Sequence, residues 1–113
     1  MHIPASSARE ITTPEGTIRK YRVLPDAGVA HQVITTSSPA TGSHLNKEVQ
    51  EIYFIIEGTA VITVGEDSFE VGEKDIVVVE PMVPHSIRTE GLTYLTVTRP
   101  DWFFEQYEHV QGD

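Results

Sequence analysis

The 113-residue sequence predicts an all-β jelly roll of two facing antiparallel sheets, and three observations carry that expectation. About eight short runs of branched and aromatic residues are separated at regular intervals by Gly, Pro, Asn or Asp. The densest of them, Ile52-Tyr53-Phe54-Ile55-Ile56, ends at Gly58, and a second run from Ala60 to Val64 follows at once. Helical periodicity is confined to one stretch near the C-terminus.

Taken in order, residues 1–8 form a loose lead-in, and Ile11 to Gly16 reads as a short strand entering a Pro/Gly turn. Thr17 to Leu24 alternates as a strand with one wet face. Pro25-Asp26-Ala27-Gly28 is a turn, because proline presets one backbone angle and glycine takes positive ones cheaply. Val29 to Thr36 is the next strand, and Ser37 to Ser43 is a loop by composition. After the runs at 52–56 and 60–64, Gly65-Glu66-Asp67 turns the chain into Ser68 to Val71, as in a hairpin. Ile76-Val77-Val78-Val79 is uninterrupted and apolar, which predicts a strand covered on both faces. Extended segments at Ser86–Thr89 and Leu92–Thr98 complete the β portion. Asp101 to Val110 reads as a short C-terminal helix capped by Asp101, or as a packed tail.

Composition limits what the chain can do. Its length suits a single domain over 1–113, with a C-terminal tail from 100 to 113. Eight Lys and Arg against 17 Asp and Glu give a net charge of -9, which repels phosphate backbones and argues against nucleic acid. The absence of cysteine removes disulfide, thiolate-metal and thiol chemistry together. The first seven residues have neither a basic region nor an apolar run, and no segment approaches the ~18 apolar residues of a membrane span, so no membrane and a cytoplasmic location are expected.

Chemistry-bearing residues cluster at two places. His44 and Asn46, two apart, point to one face in extended backbone. Glu51 lies an odd number of residues beyond Asn46, so a loop or bulge through Lys47-Glu48-Val49 must intervene before it meets them. A carboxylate heading so apolar a strand wants a partner: a divalent metal, an Arg, or solvent at the strand end. His85 follows Pro81 and Pro84, which stiffen the backbone before it. Ile87 and Thr89 share its face. Tyr53, Phe54, Ile62, Val77, Val79, Met82 and Ile87 read as core, and Tyr53, Met82, Ile87 and Thr89 are the candidate walls of a small-molecule cavity. His2, His31 and His109 lack such company and read as surface or structural. Arg88 and Arg99 are candidates for an anionic substrate, with rim salt bridges favoured for both. No phosphate loop or nucleophile elbow is present.

At these residues the sequence resembles the cupins, small jelly-roll barrels. Their first motif runs G-x5-H-x-H-x3,4-E-x6-G, and His44, Asn46, Glu51 and Gly58 fall on its second half, with Asn46 replacing the second histidine and Ser38 the leading glycine. Gln50 is the alternative to Glu51 under the shorter spacing. The second motif, G-D-x-V-x-I-P-P-G-x-P-H, is matched by Asp75, Val77, Val79, Pro81, Pro84 and His85. Lys74, Glu80 and Met82 depart from it. The resemblance covers about residues 30–98. It implies that His44, Glu51 and His85 hold a divalent metal (Fe, Mn, Ni or Zn) inside the barrel, with Asn46 a weak fourth ligand or a donor to substrate, and that the chain forms a homodimer. Two histidines and a carboxylate make the facial set of non-haem iron sites. The expected function is a metal-dependent oxygenase or isomerase acting on a small organic molecule. A general base is missing from this picture unless Tyr53 or Glu57 turns inward. The alternative is a non-catalytic binding or sensing barrel with a degenerate metal site.

Overall fold

The computed structural model describes residues 1–35 and 43–110. The Ser37–Gly42 part of the expected loop lies outside the described residues. Among the described residues there are eleven strands: β1 (Arg9–Thr12), β2 (Gly16–Leu24), β3 (Ala27–Ile34), β4 (Ser43–Asn46), β5 (Gln50–Gly58), β6 (Ala60–Val64), β7 (Asp67–Val71), β8 (Ile76–Val79), β9 (His85–Arg88), β10 (Leu92–Arg99) and β11 (Tyr107–Val110). They form a six-stranded sheet in the order β1-β2-β3-β10-β5-β8 and a five-stranded sheet in the order β11-β4-β9-β6-β7, every pairing antiparallel. This is the jelly roll the strand spacing predicts.

The core follows from alternation. On β5, Tyr53 and Ile55 are buried while Phe54 and Ile56 face out. They meet Ile62, Val71, Val77, Val79, Leu92 and Tyr94 from both sheets. Fully burying a side chain such as Ile55 or Ile62 contributes about 1.5–3 kcal/mol. Gly58 ends β5 at φ 94°, and a Cβ there would strike the Gly91 carbonyl, so this turn requires glycine.

Three expectations need correction. β8 is an edge strand rather than a doubly covered one: Val77 and Val79 are buried, but Ile76 is 60% and Val78 47% exposed. With Phe54 and Ile56 they make an apolar outer patch, so Phe54 is not core. The continuous apolar run misleads because an apolar outer face hides the alternation of the strand. Of the two readings of residues 101–110, helix or packed tail, the structure shows the second: a single 3-10 turn (Phe104–Gln106) leads into β11, which pairs with β4. Asp101 caps nothing and instead pairs its Oδ1 with Lys20 Nζ at 2.9 Å. Met82 is 60% exposed at φ 70° in the turn before β9, outside the core.

Candidate functional site

The odd spacing between Asn46 and Glu51 is resolved by a change of sheet. β4 ends at Asn46 in the five-stranded sheet, and β5 begins at Gln50 in the six-stranded one. The intervening bend is pinned from the C-terminal segment: Lys47 N–H donates to Gln106 O at 2.9 Å, and Glu48 and Val49 N–H donate to Gln106 Oε1 at 3.2 and 3.3 Å. Glu51 is thereby turned across the sandwich toward β4 and β9.

Three donors converge on one oxygen of Glu51. His85 Nε2 lies 3.1 Å from Oε1, the Tyr53 hydroxyl donates to it at 3.0 Å, and Asn46 Nδ2 at 2.9 Å. The other nitrogen of His85, Nδ1, lies 3.2 Å from the Val83 carbonyl. A neutral imidazole has one N–H, so the tautomer decides which of these two oxygens the ring donates to.

His44 stands directly across from His85 on β9 and from His109 on β11, so three histidines form a row over adjacent strands. Its ring centroid is 6.1 Å from that of His85 and 5.4 Å from those of His109 and Tyr107. His44 Nδ1 is buried without a hydrogen-bond partner. Desolvation by burial, then the neighbouring His85 and His109, hold its pKa below the ordinary 6.5, against the opposing pull of Glu51 and Glu15. Burial, and then the Glu51 charge, push the Tyr53 phenol well up, raise Tyr94, and push Tyr107 up to about 12. All three phenols are therefore protonated donors at neutral pH.

These groups open onto a cavity of about 900 Å³ between the sheets, walled also by Gln32, Ile87, Thr96, Trp102 and Phe104. Of the residues expected to line it, Tyr53 and Ile87 do. Met82 and Thr89 do not: Met82 faces solvent, and the Thr89 hydroxyl is spent on the Thr59 and Gly91 carbonyls at 2.6 and 3.1 Å, closing a turn. Glu57 lies on the exposed part of β5, whereas Tyr53 turns inward. Gln50, the alternative to Glu51, hydrogen-bonds Glu80 and Arg99 at the surface. Arg99 is thus held by Gln50, and neither it nor Arg88 borders the cavity.

Asn46 sits behind the cavity rather than in it. Its amide oxygen accepts from Trp102 Nε1 at 3.0 Å and Gln106 Nε2 at 2.8 Å, and Asn46 and Gln106 are only 2% and 1% exposed. With the oxygen so engaged, the amide nitrogen is the end presented to Glu51. Trp102, Gln106 and His109 are site residues that the sequence reading missed. All lie in the C-terminal segment, where no motif spacing marks them.

For a divalent metal, the donor types of His44, Glu51 and His85 fit. The His85 Nδ1 contact with a backbone carbonyl is the arrangement that orients ligating histidines. Two neighbouring ligands each ~2.1 Å from one ion stand roughly 3 Å apart, close to the His85–Glu51 separation. Asn46 does not fit as a ligand, because its oxygen already serves two donors. Among the described residues, no three His, Cys, Asp or Glu side chains stand together as a ready metal cluster.

A jelly roll with this histidine and glutamate site belongs to the cupin family: the family model described as a cupin domain matches residues 30–98. The chain is 32% identical over 107 residues to an uncharacterized protein of Methanocaldococcus jannaschii, covering 88% of this chain and 86% of that one. Among solved structures, it is similar to Streptomyces Pac13, described as a nucleoside dehydratase, at a TM-score of 0.84 and 14% identity, over 98% of this chain and 91% of that one. Bacillus subtilis oxalate decarboxylase matches at a TM-score of 0.82 and 21% identity, over 96% of this chain but 31% of that one. At such identities these two structures share the fold alone. No helix among the described residues is long and apolar enough to cross a membrane.

Proposed function

We propose that this cupin is an enzyme that moves a proton to or from a small organic molecule bound in the barrel, with Glu51 and His85 as the acid–base pair. The observation that carries the reading is the convergence of His85, Tyr53 and Asn46 on Oε1 of Glu51 at the wall of the cavity. Three hydrogen bonds on one oxygen hold the carboxylate in a single orientation, so its other oxygen is aimed without further ordering cost. Proton transfer to or from a positioned carboxylate or imidazole is worth about 10²–10⁴-fold in rate. His85 and Glu51 would relay the proton across their 3.1 Å contact, and Tyr53, kept protonated by its surroundings, donates to the Glu51 carboxylate. His44 lines the same wall. In this reading Glu51 itself is the general base.

A divalent metal, when bound, would be held by His44, Glu51 and His85 and would polarise a substrate oxygen as a Lewis acid. This is the oxygenase or isomerase side of the expectation and an alternative to the proton pair, since a metal on Glu51 and His85 would occupy the groups that otherwise relay the proton. That two cupin folds of similar shape carry dehydratase and decarboxylase names supports an enzyme on this scaffold without naming its substrate.

The test is proton exchange. In D2O, the protein is incubated with a panel of hydroxylated small molecules, with and without added Mn(II) or Fe(II), and deuterium entering C–H positions is followed by NMR. The expected outcome is exchange by the native protein and a loss of at least ~10²-fold in Glu51→Gln and His85→Gln. Equal exchange by native protein and folded variants would overturn the reading.

A further inference from the structure

The cavity has a second polar wall, away from Glu51, that the proton-transfer reading leaves unused. Gln32 on β3 faces Tyr94 on β10 in register. The Tyr94 hydroxyl donates to Gln32 Oε1 at 3.0 Å, and Gln32 Nε2 donates to Thr96 Oγ1 at 2.8 Å. A primary amide carries two hydrogens, and Gln32 places one of them. Thr96 accepts a bond and keeps its own hydroxyl hydrogen to give. All the hydrogen bonds to Glu51 fall on Oε1, which leaves Oε2 as an acceptor. Donors and acceptors arranged in this way match hydroxyl and carbonyl groups.

They do not match an anion. Lys20, a cation within the cavity wall, is already neutralised by Asp101 at 2.9 Å. Arg9, on exposed β1, also borders the cavity. An anionic group brought to Glu51 would meet a carboxylate inside a chain of net charge -9. An ammonium group gains little either, since Glu51 already faces His85. Part of the cavity wall, in turn, is aromatic: Trp102 packs edge-on against Phe104 at 6.4 Å and Tyr107 at 5.4 Å between ring centroids, and all three border the cavity. Such faces receive a flat ring.

We infer that the cavity takes an uncharged, hydroxylated compound bearing a planar ring, the chemical class of a nucleoside, with its hydroxyls on Gln32, Thr96 and Glu51 and its ring on the Trp102–Phe104 wall. The volume of about 900 Å³ accommodates a molecule of that size. The inference rests on the proton-transfer reading only in taking the same cavity as the functional one.

Isothermal titration of the full chain with uridine, uridine 5′-monophosphate and oxalate tests it. Uridine should bind at least roughly tenfold more tightly than either anion. Thr96→Val and Gln32→Leu should each weaken uridine by about tenfold, as should Phe104→Ala, whose side chain is exposed and whose loss leaves the fold intact. Tighter or equal binding of an anion, no uridine binding, or folded variants that bind as the native chain does would each overturn the inference. Uridine that binds without exchanging deuterium would sink the proton-transfer reading and leave this inference standing; an anion that binds and exchanges would do the reverse.

Discussion

At the residue scale, Asn46 shows how a neutral amide can be fixed to one task. An amide can present either end, but Trp102 and Gln106 both donate to its oxygen, so the nitrogen must face Glu51. Gln106 is fixed in the same way, since its own oxygen accepts from the backbone of the bend at Glu48 and Val49. The chain of bonds runs from that bend through two buried amides to the carboxylate. Removing one partner strands the others in a dry interior, at about 1–3 kcal/mol. Asn46→Leu and Gln106→Leu should each destabilise by that amount in urea unfolding, and the double variant should cost less than their sum, because each single change already breaks the chain. Strictly additive losses would show that the two amides act independently. The same geometry explains why the sequence reading of Asn46 as a ligand or substrate donor fell short. Its position in the motif was legible, but its partners lie 56 and 60 residues away, in a segment without periodicity.

At the element scale, strands whose two faces differ were legible and strands whose faces are alike were not. β5 and β6 are legible from their dense branched and aromatic residues and the glycine between them, and β10 from the threonines interspersed among its apolar residues. β8 has apolar residues on both faces and was mistaken for a central strand. Departures from the second cupin motif carry a further message. Lys74 and Met82 stand where the motif has glycine, and both adopt left-handed backbone, with φ of 71° and 70°. A side chain in that region costs about 1–2 kcal/mol, since Cβ crowds the carbonyl. Here the turns are held by other bonds: Lys74 N–H to Ile55 O at 2.8 Å and Met82 N–H to Asn46 O at 2.6 Å. Met82→Gly should therefore raise stability, by up to about 1 kcal/mol once the greater freedom of unfolded glycine is subtracted. The exposed Met82 side chain leaves no cavity behind, so thermal unfolding gives a clean reading. A lowered midpoint would mean that the side chain contributes more than its backbone angle costs.

At the scale of the whole molecule, the two sheets share one interior, with apolar packing around Ile55 and Ile62 and titratable groups gathered along the cavity wall. Acid stability is decided partly at that wall. His44 has a pKa below its unfolded value, chiefly from burial and then from His85 and His109. As pH falls through 6.5 the unfolded chain takes up a proton at this position before the folded chain does, so folding loses stability. His44's contribution is complete above the unfolded value of 6.5, declines below it, and is gone once the pH passes beneath the lowered folded value. His44→Gln removes the titrating group and keeps a polar side chain. The urea midpoint of the native chain should therefore drop more steeply between pH 7.5 and 5.5 than that of His44→Gln. The surface carboxylates, common to both proteins, cancel in the comparison. Parallel curves would mean that His44 titrates alike in the folded and unfolded chains, and that the row of three histidines does not resist protonation.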